Sequence, residues 1–398
     1  LPGMPTLTFV TLGAVVGGVG YVTHEVHRRK TQEAVESVKR KASQQAQEQE
    51  RTEDLLKVDI LGVEIGYGLI PLVDPNQGGD LLNRIATMRK QLASELGIIV
   101  PPVRIRDNVQ LTPNQYQVKV KGIRVAGWEL MMDHLMAINP GYIEDKLDGF
   151  DTREPAFSLK ATWIIPGLRE VAEAKGFTVV EPSAVLVTHL TEVIRTAAPE
   201  ILSRQDVQHL VTTLKEDYPA LVDAVIPDVI PLGTLQKVLQ SLLKERVPIR
   251  DLATIVETIS DYIGATKEPD VLSEYVRMDL KRQITEMYRD KEGQIHVFTI
   301  DPALEQTMAE SIQNTKQGLV LAIEPSLAEA LLNGMGEQIS SMETAGRKPL
   351  CLCSPNIRLV LRRLAETRYP DLVVVSYNEL LPDAEVVSVG MVKVQDDH

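Results

Sequence analysis

"KPLCLCSPNIRLVLRRLAETRYPDLVVVSYNEL", residues 348–380, is the stretch whose reading decides the fold class. It reads as strand, helix, strand. Ser354 stands where a helix is capped, Pro355 in its first turn, where a missing N–H costs nothing, and "DLVVVS" (371–376) is a buried parallel strand. The chain's only two cysteines, Cys351 and Cys353, lie in the first strand. Residues two apart on a strand share a face but do not easily close a disulfide, and two isolated thiols fit a reducing compartment. With no His or further Cys nearby, a metal site is not expected there.

Upstream, "GQIHVFTID" (293–301) reads as another strand, so 286–398 mixes strand and helix. From about 201 to 285 the period is helical. Leu235, Val238, Leu239 and Leu242 form one stripe; Leu252, Ile255, Val256 and Ile259 form another, with Pro248 placed where the second helix can begin. Residues 55–200 are mixed again. "DILGVEIGYGLIPLVD" (59–74) reads as a strand and turn ended by Pro71 and Asp74-Pro75. In "DLLNRIATMRKQLASELG" (80–97), Leu81, Leu82, Ile85, Met88, Leu92 and Leu96 share a helix face and Gly97 ends the helix. Tyr116, Val118 and Val120 alternate with Gln117, Lys119 and Lys121, as in a strand. Residues 161–202 read as helix, short strand, helix.

At the start of the chain the reading changes. Leu1 to Thr23 carries no charge, and Arg28, Arg29 and Lys30 follow. About 20 apolar residues are needed to cross a bilayer core, and Gly13 and Gly17 are spaced as at close helix–helix contacts. A signal peptide has the reverse charge order, and the positive-inside rule puts everything after residue 23 in the cytoplasm. With no initiating methionine, a larger membrane region is expected upstream. Residues 24–54, rich in Gln, Glu and Lys, read as a polar, solvent-bridging linker or a docking segment. The expectation is a multidomain α/β and α+β cytoplasmic region with one helical subdomain, preceded by one transmembrane helix, the end of a truncated multi-span membrane region.

Composition narrows function. With 42 basic and 55 acidic residues the net charge is -13, which argues against a nucleic-acid partner. There is no P-loop, "GVEIGYG" does not match G-x-G-x-x-G, and there is no H-E-x-x-H or G-x-S-x-G. His24 and His27 in "HEVH" are expected to be solvated at the membrane surface, and His189 to be a core or groove residue rather than a base. No cofactor or metal is called for. A membrane-tethered binding module is favoured over an enzyme, the competing reading being a membrane-anchored hydrolase with a spatially assembled site.

Several blocks, in order, carry a resemblance. "LPGMPTLTF" (1–9), "LGVEIGYGLIPLVD" (61–74), "VRIRDNVQL" (103–111), "MAINPG" (136–141), "GFTVVEPSAVLVTHL" (176–190) and "LLKERVPIRDLATIVETI" (242–259) resemble the FlhA-type export-gate proteins of type III secretion, the FHIPEP family, in their C-terminal portion. The "VTHL" and "VPIRDL" blocks favour a flagellar member; the alternative is an injectisome homologue. The resemblance implies a non-enzymatic docking platform at the bacterial inner membrane, assembled as a nonameric ring. Implied partners are export chaperones with cargo, the export ATPase complex and its stalk subunit, and other export-gate membrane proteins. It further implies a last span at 1–23 and subdomains at 55–132 plus 182–201, 133–181 (inserted), 202–281 (helical) and 282–398. The family's chaperone dimple has an Asp-Pro-Ala-Phe motif and a threonine in the later block. Here these positions are Glu154, Pro155, Ala156 and Phe157, then Thr188, with Val180 and Val185 nearby. Glu154 is one methylene longer than the family aspartate and is expected at the groove's rim, with Phe157 as apolar anchor. The linker also lacks the aromatic some relatives carry just before the body; Thr52 or its neighbours stand there.

Overall fold

A computed structural model of the chain describes residues 58–141, 143–315 and 318–393. The expected membrane run (1–23) and linker (24–54) lie outside the described residues. Among the described residues no helix is long and apolar enough to cross a membrane.

The first sheet has the order β2-β1-β3-β4, with β1 Leu61–Ile65, β2 Val103–Asp107, β3 Gln115–Val120 and β4 Ile123–Glu129. β1 and β2 are parallel and joined through helix α1 (Leu81–Leu96); β3 is antiparallel to both β1 and β4. α1 buries Leu81, Ile85, Met88, Leu92 and Leu96, a repeat of three and four residues. Leu82, expected on that face, is 51% exposed, because it lies about 100° round the helix from Leu81. Gly97 caps α1 in the left-handed conformation, and a Cβ there would fall 2.5 Å from the Arg250 backbone nitrogen. Only glycine allows that approach. The polar face of β3 is not simply solvated: Gln117 is buried, and it and Lys119 donate to Glu64 across the sheet.

The second sheet is wholly antiparallel, in the order β6-β7-β5-β8. Its strands are β5 Leu135–Ile138, β6 Phe150–Arg153, β7 Lys160–Ile164 and β8 Thr178–Val180, with α2 (Arg169–Ala174) between β7 and β8. Residues 161–202 therefore open with a strand rather than a helix. The run ATWI buries four consecutive residues between two neighbouring strands, and an apolar run that short carries no period to separate strand from helix. Leu135, Ala137, Ile164, Ala172 and Phe177 form a small separate core on one face of this sheet. Met136, Ala161 and Trp163 join the main core, which runs from Leu61 to Val392. α3 (Pro182–Ile201) follows β8 and packs against α1 and β3.

Six helices come next: α4 Arg204–Asp217, α5 Pro219–Val225, α6 Leu232–Lys244, α7 Leu252–Tyr262, α8 Pro269–Asp279 and α9 Lys281–Tyr288. Both expected stripes are buried. Pro248, however, lies ahead of α7, whose first residue is Leu252; Asp251 caps it by accepting from the Thr254 N–H at 3.3 Å. Asp251 supplies an acceptor to the free amides of the first turn, which Pro248 cannot.

The last sheet is all parallel, in the order β13-β12-β9-β14. It contains β9 Gln294–Ile300, β12 Leu350–Cys353, β13 Val373–Ser376 and β14 Glu385–Val392. α10 (Pro302–Glu310), a hairpin of β10 (Ile312–Thr315) and β11 (Gly318–Leu321), and α11 (Pro325–Thr344) connect β9 to β12. α12 (Pro355–Glu366) is the crossover in the stretch quoted at the outset. Ser354 holds its N-cap position, but its side chain makes no capping bond; its N–H donates to Glu305 at 3.1 Å. Cys351 and Cys353 are buried free thiols whose pKa values are pushed up by burial.

The helical segment meets the last sheet through buried charge. The Arg358 guanidinium lies 2.7 Å and 3.0 Å from the two oxygens of Glu245 and also bonds Glu274. Arg277 bonds Glu379, with Nε at 2.9 Å, and Arg277, Arg358 and Glu379 are each no more than 2% exposed. Glu379 in turn accepts the Ser376 hydroxyl at 2.8 Å.

Candidate functional site: a cleft between two helices

α1 and α3 lie side by side with a cleft of about 530 Å³ between them. Met88 and Leu92 on α1, and Ala184 and Val187 on α3, give it an apolar floor. Thr87, Thr188 and Thr191 add hydroxyls; that of Thr191 is spent on the Val187 carbonyl at 2.7 Å. Both sets recur at helical spacing, so one face of each helix makes the cleft. Phe157 stands at its side, 56% exposed.

Charge closes the two ends. At one end Arg84 bonds Asp80 and, at 3.0 Å, Glu181. At the other, Arg195 reaches Glu95 at 2.8 Å and Glu192 at 3.3 Å, and Glu192 is held by Arg246 at 2.6 Å. These ions are paired and partly solvated, so each adds little to stability. They leave the middle of the cleft as its apolar part.

Phe157 is exposed because of the loop that carries it. Residues 154–159 join β6 to β7. The Glu154 N–H donates to the Leu159 carbonyl at 2.8 Å, and the Ser158 N–H donates back to the Glu154 carbonyl at 2.9 Å. Inside this turn the Glu154 carboxylate accepts the Ala156 N–H at 2.9 Å and the Phe157 N–H at 2.7 Å. Ser158 takes the left-handed conformation (φ 58) to close it. Glu154 is only 2% exposed. The expected rim position is therefore wrong: the carboxylate is used up by the backbone amides of its own loop, and the ring of Phe157 is what faces outward.

The other expected residues divide. Phe157 and Thr188 line the same cleft. Pro155 and Ala156 are half-buried within the loop. Val185 does not line the cleft; on α3 it points the other way and is 2% exposed in the main core. Val180 is half-buried on β8 opposite Met136 and is also not part of the lining. Apolar residues next to a groove motif in sequence fall on the opposite face whenever the helix or strand turns between them.

Beneath Thr188, His189 is buried, and its Nδ1 lies 2.7 Å from the Tyr116 hydroxyl. Burial lowers the His189 pKa and so favours the neutral ring, which shares a hydrogen bond with the Tyr116 hydroxyl. The Tyr116 pKa is raised, first by burial and then by the charge of Glu154. A polar pair thus sits below the floor, joining the first sheet to α3. The α1 half of the cleft was missed from sequence. Its signal is present in the exposed row Thr87, Gln91 and Glu95 beside the buried stripe, but such a row on its own is the solvated face of any amphipathic helix.

Comparison with known proteins agrees with this fold. The FHIPEP family model matches residues 1–385. The flagellar biosynthesis protein FlhA of Bacillus subtilis is 43% identical over 340 residues, covering 85% of this chain and 50% of that protein. The chain spans about half the length of the curated relatives it matches. The Chlamydia pneumoniae CdsV protein superposes with a TM-score of 0.77 at 26% identity, covering 84% of this chain and 98% of that one. Nonameric EPEC SctV-C, at 22% identity, shares the fold with a TM-score of 0.70 over 84% of this chain and 98% of that chain. With the family model spanning nearly every residue and the same fold recurring in these solved structures, the chain belongs to the FHIPEP family.

Proposed function

We propose that this chain is the cytoplasmic part of a flagellar type III protein export gate, docking export chaperone–cargo complexes in the α1–α3 cleft and passing them toward a membrane channel. The observation that carries this reading is Phe157: a large ring held outward by a buried carboxylate at the side of an apolar cleft. Exposed aromatic anchors beside apolar pockets are the usual energetic centre of protein interfaces. The site acts by binding and not by catalysis. The flagellar assignment is supported by 43% identity to the Bacillus subtilis protein, against 26% for CdsV.

On the same reading, residues 1–23 are a last membrane span in the bacterial inner membrane and 24–54 a linker to the body. The body divides into 55–132 plus 182–201, 133–181, 202–281 and 282–398. It assembles as a ring of nine, a stoichiometry supported by nonameric SctV-C, and it works with the export ATPase, its stalk subunit and the other membrane components of the gate. CdsV has been solved with CdsO, which supports an export-apparatus partner for this chain as well.

The test is Phe157→Ala, read by calorimetry with a purified chaperone–cargo complex and by urea denaturation. Affinity is expected to fall about 5- to 160-fold, equivalent to roughly 1–3 kcal/mol, with stability falling by far less than the ~3–5 kcal/mol of a core phenylalanine. Unchanged affinity with a large stability loss refutes the docking role.

A further inference from the structure

A second cleft, of about 600 Å³, lies where α9 ends and where β9 and β12 begin. It shares no lining residue with the α1–α3 cleft, although its Lys348 feels the charges of Glu192 and Arg195 at that cleft's end. Its wall includes Tyr288, Arg289, His296, Arg347, Lys348 and Leu350. That size is ordinary for a small-molecule site.

Its charges are unevenly matched. His296 Nε2 is 3.0 Å from the Asp290 carboxylate, whose other oxygen accepts the N–H groups of Glu292 and Gln294. Arg289 pairs with Glu286 through one terminal nitrogen. Among the described residues, Arg347 and Lys348 have no carboxylate within ion-pair distance. Glu292, also in the lining, is exposed at its solvent side. The Lys348 ammonium sits 5.2 Å from the centre of the Tyr288 ring. Lys348 as a whole is exposed, but its ammonium is partly desolvated; its pKa is lowered, first by that desolvation and then by the positive charge of Arg246, with the carboxylates of Asp371 and Glu192 opposing at longer range. A lysine in that state gains from a neighbouring anion.

Two polar atoms of the lining residues are buried without a hydrogen-bond partner: Arg289 Nε and His296 Nδ1. An arginine Nε always carries a proton, so it requires an acceptor. Buried polar atoms of this kind are uncommon in folded proteins, and a bound group that supplies an acceptor is one way in which they are completed. Tyr288 and Leu350 add an apolar surface beside them.

We infer that this cleft binds a small molecule bearing a phosphate or carboxylate, the anion meeting Arg347, Lys348 and Arg289, and the body of the ligand lying against Tyr288 and Leu350. Guanidinium and ammonium groups converging on one cleft are the chemistry that recognises either anion.

The experiment titrates the full chain with inorganic pyrophosphate and, separately, with citrate, at low ionic strength, by calorimetry. The expected result is saturable one-to-one binding of at least one probe. It should weaken at least about tenfold in the double variant Arg347→Glu, Lys348→Glu, and several-fold in Arg289→Lys, which keeps the charge and removes the planar Nε–H. A charge-matched control, Lys237→Glu with Lys267→Glu, both exposed in the helical segment, should bind as the parent does. Tighter pyrophosphate assigns a phosphate ligand, and tighter citrate a carboxylate. Absence of saturation with both probes overturns the inference, as does equal weakening in the control, which would mean a general charge effect.

Discussion

Replacing Glu154 tests how the docking loop is built. Its carboxylate accepts two backbone N–H groups, at 2.9 Å and 2.7 Å, from a position 2% exposed. Hydrogen bonds to a charged group contribute about 1.5–3 kcal/mol each net, and amides left unpaired in a half-buried loop are partly satisfied by water. Glu154→Ala is therefore expected to destabilise the second sheet by about 2–3 kcal/mol. Glu154→Gln should cost less, since its amide oxygen accepts one N–H but its NH2 cannot accept the other. Affinity for chaperone–cargo should fall in both, because the Phe157 ring must then be ordered on binding, at about 0.5–1.5 kcal/mol, or roughly 2- to 12-fold in Kd. The assay pairs calorimetry with amide hydrogen exchange. Exchange at Ala156 and Phe157 should accelerate, and the affinity loss should persist in about 1 M NaCl, where the Debye length is about 3 Å. If those two amides stay protected while the affinity loss disappears in salt, Glu154 touches the ligand directly and the loop-clamp account is refuted.

Three further outcomes are expected. Arg358→Met removes the hydrogen-bonded cation from Glu274 and leaves Glu245 with Arg277 alone, and should cost about 3–5 kcal/mol in urea denaturation; a loss under about 1 kcal/mol would mean that water reaches the joint. Glu245 is held at a pKa of about 2, below its ordinary 4.5, by Arg277 and Arg358 against the opposing effect of burial. A depressed carboxylate contributes stability that is present above the unfolded pKa and lost as pH falls through the folded one. The chain should therefore lose stability between about pH 4.5 and pH 2, and Glu245→Gln should flatten that part of the curve; an unchanged slope assigns the acid sensitivity elsewhere. Finally, removing residues 1–54 should leave a soluble protein with a cooperative melting transition, since the main core begins at Leu61; recovery only as inclusion bodies would place the boundary wrongly.

Local pattern carried most of the secondary structure. The stripes of α1, α6 and α7, the strand-helix-strand of 348–380 and the stop at Gly97 follow from periodicity and backbone preference, which act within a few residues. Where a neighbour along the chain does not set the conformation, the reading failed. β7 reads as helix until β5 and β6 flank it, and Pro248 looks like a helix start until Asp251 is seen to cap α7. Family resemblance picked out Phe157 and Thr188, but not what surrounds them. That Glu154 faces inward follows from a loop closed by its own backbone amides, which the Pro-Ala-Phe motif does not announce; that Val185 belongs to the core and that α1 supplies half of the cleft depend on contacts between segments about 70 to 100 residues apart. The same holds for Arg277 and Arg358, which look in sequence like ordinary surface cations on amphipathic helices. They become a buried joint only because Glu379 and Glu245 reach them from 102 and 113 residues away. Sequence determined which segments are helix and strand because those choices are made by local sterics and side-chain period; tertiary structure decided which faces are buried and which charges are paired, because burial and pairing are properties of two surfaces brought together.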